Sequence, residues 1–165
     1  MKPFQRLHKG GTMGHSLCKV YVHYVWTTKN RERLFSPSVR TQLYEHLDKN
    51  ARENSILIEA LNVQPEHVHL LVNLSRTSAI EELAKLLKGE SSHWINHNSI
   101  IPAKFSWQTG YGAFSVSYTH YKNVIIYINN QDKHHQRTTF MTEYETLMRK
   151  CGLSNIQTDK SVFGN

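Results

Sequence analysis

Apolar positions along this chain alternate between the two-residue period of strands and the three-to-four-residue period of helices. Residues 19–27 (KVYVHYVWT) are rich in β-branched and aromatic side chains, which favours a strand. A basic connection, TKNRERLF, follows, and Ser36-Pro37 then marks a helix start. Proline's fixed φ suits the first helical position, and the helix is expected to run to about Glu53. Residues 55–63 (SILIEALNV) and 67–74 (HVHLLVNL) read as two further strands. Gln64-Pro65-Glu66 between them is short enough for an antiparallel hairpin. Ser78 and Glu81 have the spacing of a capping box, and Ile80, Leu83, Leu86 and Leu87 recur at helical spacing towards Trp94. A fourth strand is expected over 105–108 and 110–117, with Gly110 and Gly112 at its start. Helices over 120–133 and 139–150 complete the chain, the last stopped by Gly152.

The order β-α-β-β-α-β-α predicts an α+β fold: a ferredoxin-like or RNA-recognition-motif-like antiparallel sheet with helices on one face and a C-terminal helix bearing Tyr127. At 165 residues the chain is long enough for one domain with a real core. Met13 begins a stretch that reads as a natural start, so residues 1–12 are taken as an upstream extension or a remnant of cloning. Residues 13–152 are taken as the single domain and 153–165 as a tail of little periodicity. No apolar run approaches a membrane-spanning length, and the basic N-terminus lacks a signal peptide's apolar core. The two cysteines, Cys18 and Cys151, are in no metal-binding or redox spacing, so both are expected to be free thiols in the cytoplasm.

Charge changes the picture. Twenty Lys and Arg against thirteen Asp and Glu give a net +7, with eleven histidines besides. That excess suits a polyanion such as nucleic acid, because neutralised phosphates release condensed counterions. A basic surface that binds nothing has the same composition, so the charge decides little without a site.

Two groups of residues can carry chemistry. In His67-Val68-His69 on a strand, the two imidazoles point to one face with Cα atoms roughly 7 Å apart, able to converge on one metal while Val68 packs behind them. Taken alone, two histidines on a wet sheet face are the commoner arrangement. Tyr127 and Gln131 lie one helical turn apart on one face, with about 6 Å of rise between them. The ordinary reading of that pair is a packed tyrosine and a solvated glutamine.

Together, His67-Val68-His69 and Tyr127-x-x-x-Gln131 resemble the single-tyrosine HUH transposases of bacterial insertion sequences, the IS200-like group. The resemblance extends through Lys29-Asn30-Arg31, Pro65-Glu66-His67-Val68-His69, Lys88-Gly89-Glu90-Ser91-Ser92 and Trp94-Ile95-Asn96. It continues through Phe105-Ser106-Trp107-Gln108, Gly110-Tyr111-Gly112-Ala113-Phe114-Ser115 and His134-His135, covering roughly residues 13–152 in order.

This resemblance implies a DNA transposase that cleaves and rejoins single-stranded DNA at the hairpin-bearing ends of a mobile element. Tyr127 is then the nucleophile that forms a 5′-phosphotyrosine link, and His67, His69 and Gln131 hold one divalent metal, Mg2+ or Mn2+. It also implies a homodimer in which the tyrosine helix of one subunit can complete the other's site, with a hinge expected at 117–120. Basic and aromatic residues expected to meet the DNA are Lys29, Arg31, Arg33, Lys88, Lys104 and Trp107. Lys85 belongs to the same basic set, Trp94 is expected in the core, and His134 and His135 are expected at a solvated helix end. Two alternatives are a domesticated REP-associated tyrosine transposase and a catalytically inactive single-strand nucleic-acid-binding module; the latter needs exposed aromatics on the sheet where His67 and His69 sit.

Overall fold

A computed structural model of the chain describes residues 17–153. The expected extension 1–12, the start at Met13 and the tail beyond residue 153 lie outside the described residues. Four strands form one antiparallel sheet in the order β2-β3-β1-β4: β1 Val20–Thr27, β2 Leu57–Val63, β3 His67–Leu74 and β4 Gly112–Val116. Among the described residues, five α-helices accompany them, α1 Pro37–Glu53, α2 Ile80–His97, α3 Tyr121–Asn129, α4 Gln131–His134 and α5 Phe140–Lys150, with a short 3-10 turn at Lys29–Arg31.

The two central strands are buried on both faces, and their alternation sorts the side chains. Val22, Tyr24 and Trp26 of β1 and Val68, Leu70 and Val72 of β3 enter the main core. Helix α1 buries Leu43, Leu47 and Ala51 there, a stripe at four-residue spacing. Its start is as the sequence suggests: Pro37 stands in the first turn and the Ser36 hydroxyl accepts from the Val39 amide at 3.4 Å. Helix α2 adds Leu83, Ala84, Leu87 and Ile95. It is rotated from the expected face, leaving Ile80 and Leu86 at the surface. Ser78 does not cap it. Ala79 occupies that position, and the Ser78 hydroxyl bonds to Ser75 at 2.7 Å.

The other face of the same strands carries Tyr21, His23 and Val25 on β1 and His67, His69 and Leu71 on β3. The register places Thr27 opposite His67, Val25 opposite His69 and His23 opposite Leu71. Helix α3 docks over this face through Ile128, and α5 docks through Phe140 and Tyr144. The sheet is thus sandwiched, with α1 and α2 on one side and the tyrosine-bearing C-terminal helices on the other. The hairpin between β2 and β3 is closed by Gln64 N–H donating to the His67 carbonyl at 2.7 Å.

The expected helix over 120–133 breaks at Asn130 into α3 and α4. Residues 105–108, expected as part of the fourth strand, contribute a single bridge between Trp107 and Thr28. Gly152, with φ of 73°, ends α5 as expected, its amide donating to the Arg149 carbonyl at 3.1 Å.

Candidate active site

His67 and His69 are fully buried, because β3 is the second strand of a four-stranded sheet whose functional face is roofed by α3 and α5. His69 is hydrogen-bonded at one ring nitrogen, and His67 has a carboxylate close to one of its own. His69 Nδ1 lies 3.0 Å from His23 Nε2 on the neighbouring strand, and His67 Nδ1 lies 3.4 Å from Glu66 Oε1. Such outer partners orient metal-binding histidines and set their basicity. The Nε2 atoms of both rings face the same carboxylate, that of Glu143. Burial pushes the His67 imidazole down to about 4 and the His23 imidazole to about 3, so both rings are neutral at physiological pH.

Across from them stands Glu143, on the inner face of α5 between Phe140 and Tyr144. Glu143 Oε1 is 3.4 Å from His69 Nε2, and Oε2 is 3.9 Å from His67 Nε2 and 3.0 Å from His135 Nε2. The Tyr127 hydroxyl donates to Glu143 Oε1, and Gln131 Nε2 donates to the same oxygen at 2.8 Å. Tyr127 and Gln131 therefore reach one atom together despite the break at Asn130. Although burial opposes ionisation, His135, His69 and Tyr127 hold the Glu143 carboxyl well below the usual carboxylate range. Burial, and then the Glu143 charge, push the Tyr127 phenol well above its ordinary value.

Several buried polar atoms of this group have no hydrogen-bond partner among the described residues: both His67 nitrogens, His69 Nε2, Gln131 Oε1, His135 Nε2 and Glu143 Oε2. Buried polar atoms are rarely left unpaired, because each costs about 1–3 kcal/mol. One ligand atom each from His67, His69, His135 and Glu143 lie within 4.8 Å of one another, so the group can hold a cation.

Clefts open on both sides of this cluster. One, of about 580 Å³, is lined by Arg33, Arg40, Glu66, His135 and Arg137. The other, of about 530 Å³, is lined by His23, Asn123, Tyr127, His134 and Glu143. The remaining sequence-derived site residues are spread more widely. Lys29 and Lys104 are exposed, Arg31 is half-buried with its guanidinium 3.5 Å from Met141 Sδ, and Arg33 pairs with Glu66 at 3.1 Å on the rim of the first cleft. Lys88 and Trp107, expected at DNA, are turned inward. The Lys88 ammonium donates to the carbonyls of Gln108 (2.9 Å) and Gly110. Trp107 lies in the main core with its indole N–H donating to Ser91 Oγ at 3.0 Å. His135, expected at a solvated helix end, is instead part of the buried cluster.

Comparison with known proteins decides the family. The family model for "Transposase IS200 like" matches residues 16–131. The chain belongs to the IS200-like transposase family. This IS200-like chain is 33% identical over 70 residues to the ISDra2 transposase TnpA of Deinococcus radiodurans. That match spans 42% of the chain and about half the length of the curated relative. Among solved structures it is similar to a candidate transposase of Deinococcus radiodurans R1, with a TM-score of 0.58, 28% identity, and 76% and 98% of the two chains covered. It also shares the fold of the REP-associated tyrosine transposase bound to a REP hairpin, with a TM-score of 0.54, 20% identity, and 82% and 74% covered. The matched segment ends at Gln131, so His135 and Glu143 lie beyond it. No described helix is long and apolar enough to cross a membrane.

Proposed function

We propose that this chain cleaves and rejoins single-stranded DNA at insertion-sequence ends, with Tyr127 as nucleophile and His67, His69 and Gln131 holding a divalent metal, Mg2+ or Mn2+. The observation that carries the proposal is the meeting of Tyr127 and Gln131 with the two strand histidines inside one buried, cleft-flanked cluster. The orphaned His67, His69 and Gln131 atoms fit a metal, since coordination is what those buried lone pairs lack. When bound, a divalent ion there polarises a phosphodiester oxygen and lowers the phenol's pKa.

The chain's own residues do the rest. Glu143 Oε1 holds the Tyr127 hydroxyl and so fixes the direction of its oxygen. Attack by that oxygen on phosphorus forms the Tyr–O–P bond and breaks the bond from phosphorus to the 3′-oxygen. The phenol gives up its proton and the departing 3′-oxygen takes one up, leaving a free 3′-hydroxyl and a 5′-phosphotyrosine. Because the link is itself a phosphodiester, a 3′-hydroxyl can reverse the step and join a new strand. Arg33, Arg40 and Arg137 line a cleft suited to the flanking phosphates. Lys29, Arg31 and Lys104 extend the basic surface proposed for DNA, while Lys88 and Trp107 hold the segment between α2 and β4 against the core.

The family resemblance also implies a homodimer and a cytoplasmic enzyme. Within one chain, Tyr127 already stands beside that chain's own His69, their ring centroids 5.9 Å apart. A binding-only module would present an open aromatic sheet face, but α3 and α5 cover this one. The test is incubation of a labelled single-stranded element end with Mn2+. A covalent adduct with wild type and none with Tyr127→Phe is expected; an undiminished adduct in Tyr127→Phe contradicts the assignment.

A further inference from the structure

We propose that Glu143 and His135, both beyond the family-matched segment, are further ligands that make this a histidine-rich, carboxylate-bearing site selective for first-row transition metals over magnesium. The inference rests on the metal-site reading above and extends it to residues of α5 and the turn after α4.

Geometry supports it first. Glu143 is the carboxylate that faces the Nε2 atoms of both strand histidines, with an oxygen towards each ring, while Glu66 lies at Nδ1 of His67. His135 approaches from the opposite side, its ring centroid 4.6 Å from that of His67, and its Nδ1 engaged by the Thr138 carbonyl at 3.0 Å. That contact leaves His135 Nε2 aimed at Glu143 Oε2, yet the pair lacks hydrogen-bonding geometry and both atoms are without another such partner among the described residues. His69 shows the same arrangement, with Nδ1 tied to His23 and Nε2 orphaned. The imidazoles of His67, His69, His134 and His135 each present a buried Nε2 within 3.9 Å of this carboxylate, and those of His67, His69 and His135 group closely enough with it to share a cation.

Burial supports it next. A carboxylate of which 3% is exposed, surrounded by buried nitrogens that lack hydrogen-bond partners among the described residues, is a setting that a cation completes. A simple ion pair with a protonated His135 would engage that one nitrogen and leave His67 Nε2, His69 Nε2 and Gln131 Oε1 still unpaired. A cation shared by the group engages the His67, His69 and His135 nitrogens together with Glu143. Metal preference follows from ligand type. Imidazole nitrogens suit zinc and the later first-row ions such as cobalt and nickel, whereas magnesium, and to a lesser degree manganese, prefers oxygen ligands, and magnesium retains its waters. Because Glu143 Oε1 also accepts from Tyr127, the same carboxylate joins the nucleophile to the metal site.

The experiment is calorimetric titration of the purified chain with Co2+, Mn2+ and Mg2+, alongside the visible spectrum of the Co2+ form. Wild type is expected to bind Co2+ at least about a hundredfold more tightly than Mg2+, with Mn2+ between the two. Glu143→Gln and His135→Gln should each weaken Co2+ binding by more than the roughly 10–100-fold that loss of an outer-shell partner costs, and should change the spectrum. Proton resonances of the Co2+-bound wild type give a reading independent of any variant. Three shifted exchangeable imidazole protons support the inference, whereas two overturn it. If Glu143→Gln and His135→Gln keep wild-type affinity and spectrum while His67→Ala loses binding, the extra ligands are refuted and the His67, His69 and Gln131 site stands. If wild type binds none of the three ions, both readings of the metal site fail.

Discussion

Ile126 and Ile128 sit two residues apart on α3 with identical side chains and opposite environments. Ile126 is 59% exposed, while Ile128 is fully buried against Tyr21, Ala60 and Leu71 on the sheet. Ile128 is also the one buried residue among the nine of α3, so it pins the helix that carries Tyr127. Changing Ile128 to Ala removes three carbons from a closed site. At about 0.8 kcal/mol per buried methylene that is about 2.4 kcal/mol of lost transfer energy, before any cavity term. Buried Ile→Ala changes cost about 2–5 kcal/mol in all, so about 3 kcal/mol is expected, or a fall of about 6–12 °C in Tm for a domain of this size. Ile126→Ala leaves no cavity and gains a few tenths of a kcal/mol in helix propensity, so its Tm should hold or rise slightly. Differential scanning calorimetry on both variants, with adduct formation followed in parallel, makes the comparison. Ile128→Ala should lose adduct yield even below its melting range, because the tyrosine helix is no longer fixed over the histidines. Equal Tm changes for the two variants would refute the assignment of Ile128 as the anchor.

Three further outcomes follow from the packing and ionisation on either side of the sheet. Ser91→Ala removes the acceptor of the buried Trp107 indole N–H and should cost about 1–3 kcal/mol; the cost should shrink in a Trp107→Phe background, as measured by a double-mutant cycle in urea. Gly112→Ala would bring a Cβ to 2.8 Å from the Phe114 ring and 3.1 Å from Tyr144, and should destabilise by about 1–3 kcal/mol in the same assay. Burial raises the Tyr24 and Tyr144 phenols to about 12, so the folded state keeps protons that the unfolded chain releases near pH ~10. Their contribution is complete below pH ~10 and lost as pH rises towards about 12; Tm measured across that window should fall less steeply in Tyr24→Phe and Tyr144→Phe.

How much of this is legible in the sequence depends on how many neighbours each residue's role involves. The strands β1 and β3 are readable because burial on both faces leaves dense β-branched and aromatic runs, and the Ser36-Pro37 start of α1 because capping is local. The facing of α2 is not: Ile80, Leu83, Leu86 and Leu87 fit a stripe, and only packing against α1 and the sheet decides that Ile80 and Leu86 stay outside. Tyr127, Gln131, His67 and His69 stand out as motifs. Glu143 escapes a sequence reading because a glutamate in a helix is ordinarily a solvated charge. The available signal is its place among Phe140, Tyr144 and Leu147, which form the apolar stripe of α5 and carry position 143 inward with them. His135 reads as a solvated helix end because its burial comes from β3 and α5, which are distant in sequence. Lys88 and Trp107 have the residue types of DNA contacts, and only the fold shows their polar atoms committed to Gln108, Gly110 and Ser91.

The central claim, that Tyr127 attacks DNA, is tested most directly by mass spectrometry of the protease-digested covalent adduct formed on a single-stranded element end. The account predicts one modified peptide, with the nucleotide esterified to the Tyr127 oxygen through its 5′-phosphate. A nucleotide on Tyr118, Tyr121 or any residue other than Tyr127, or one attached through a 3′-phosphate, would contradict it.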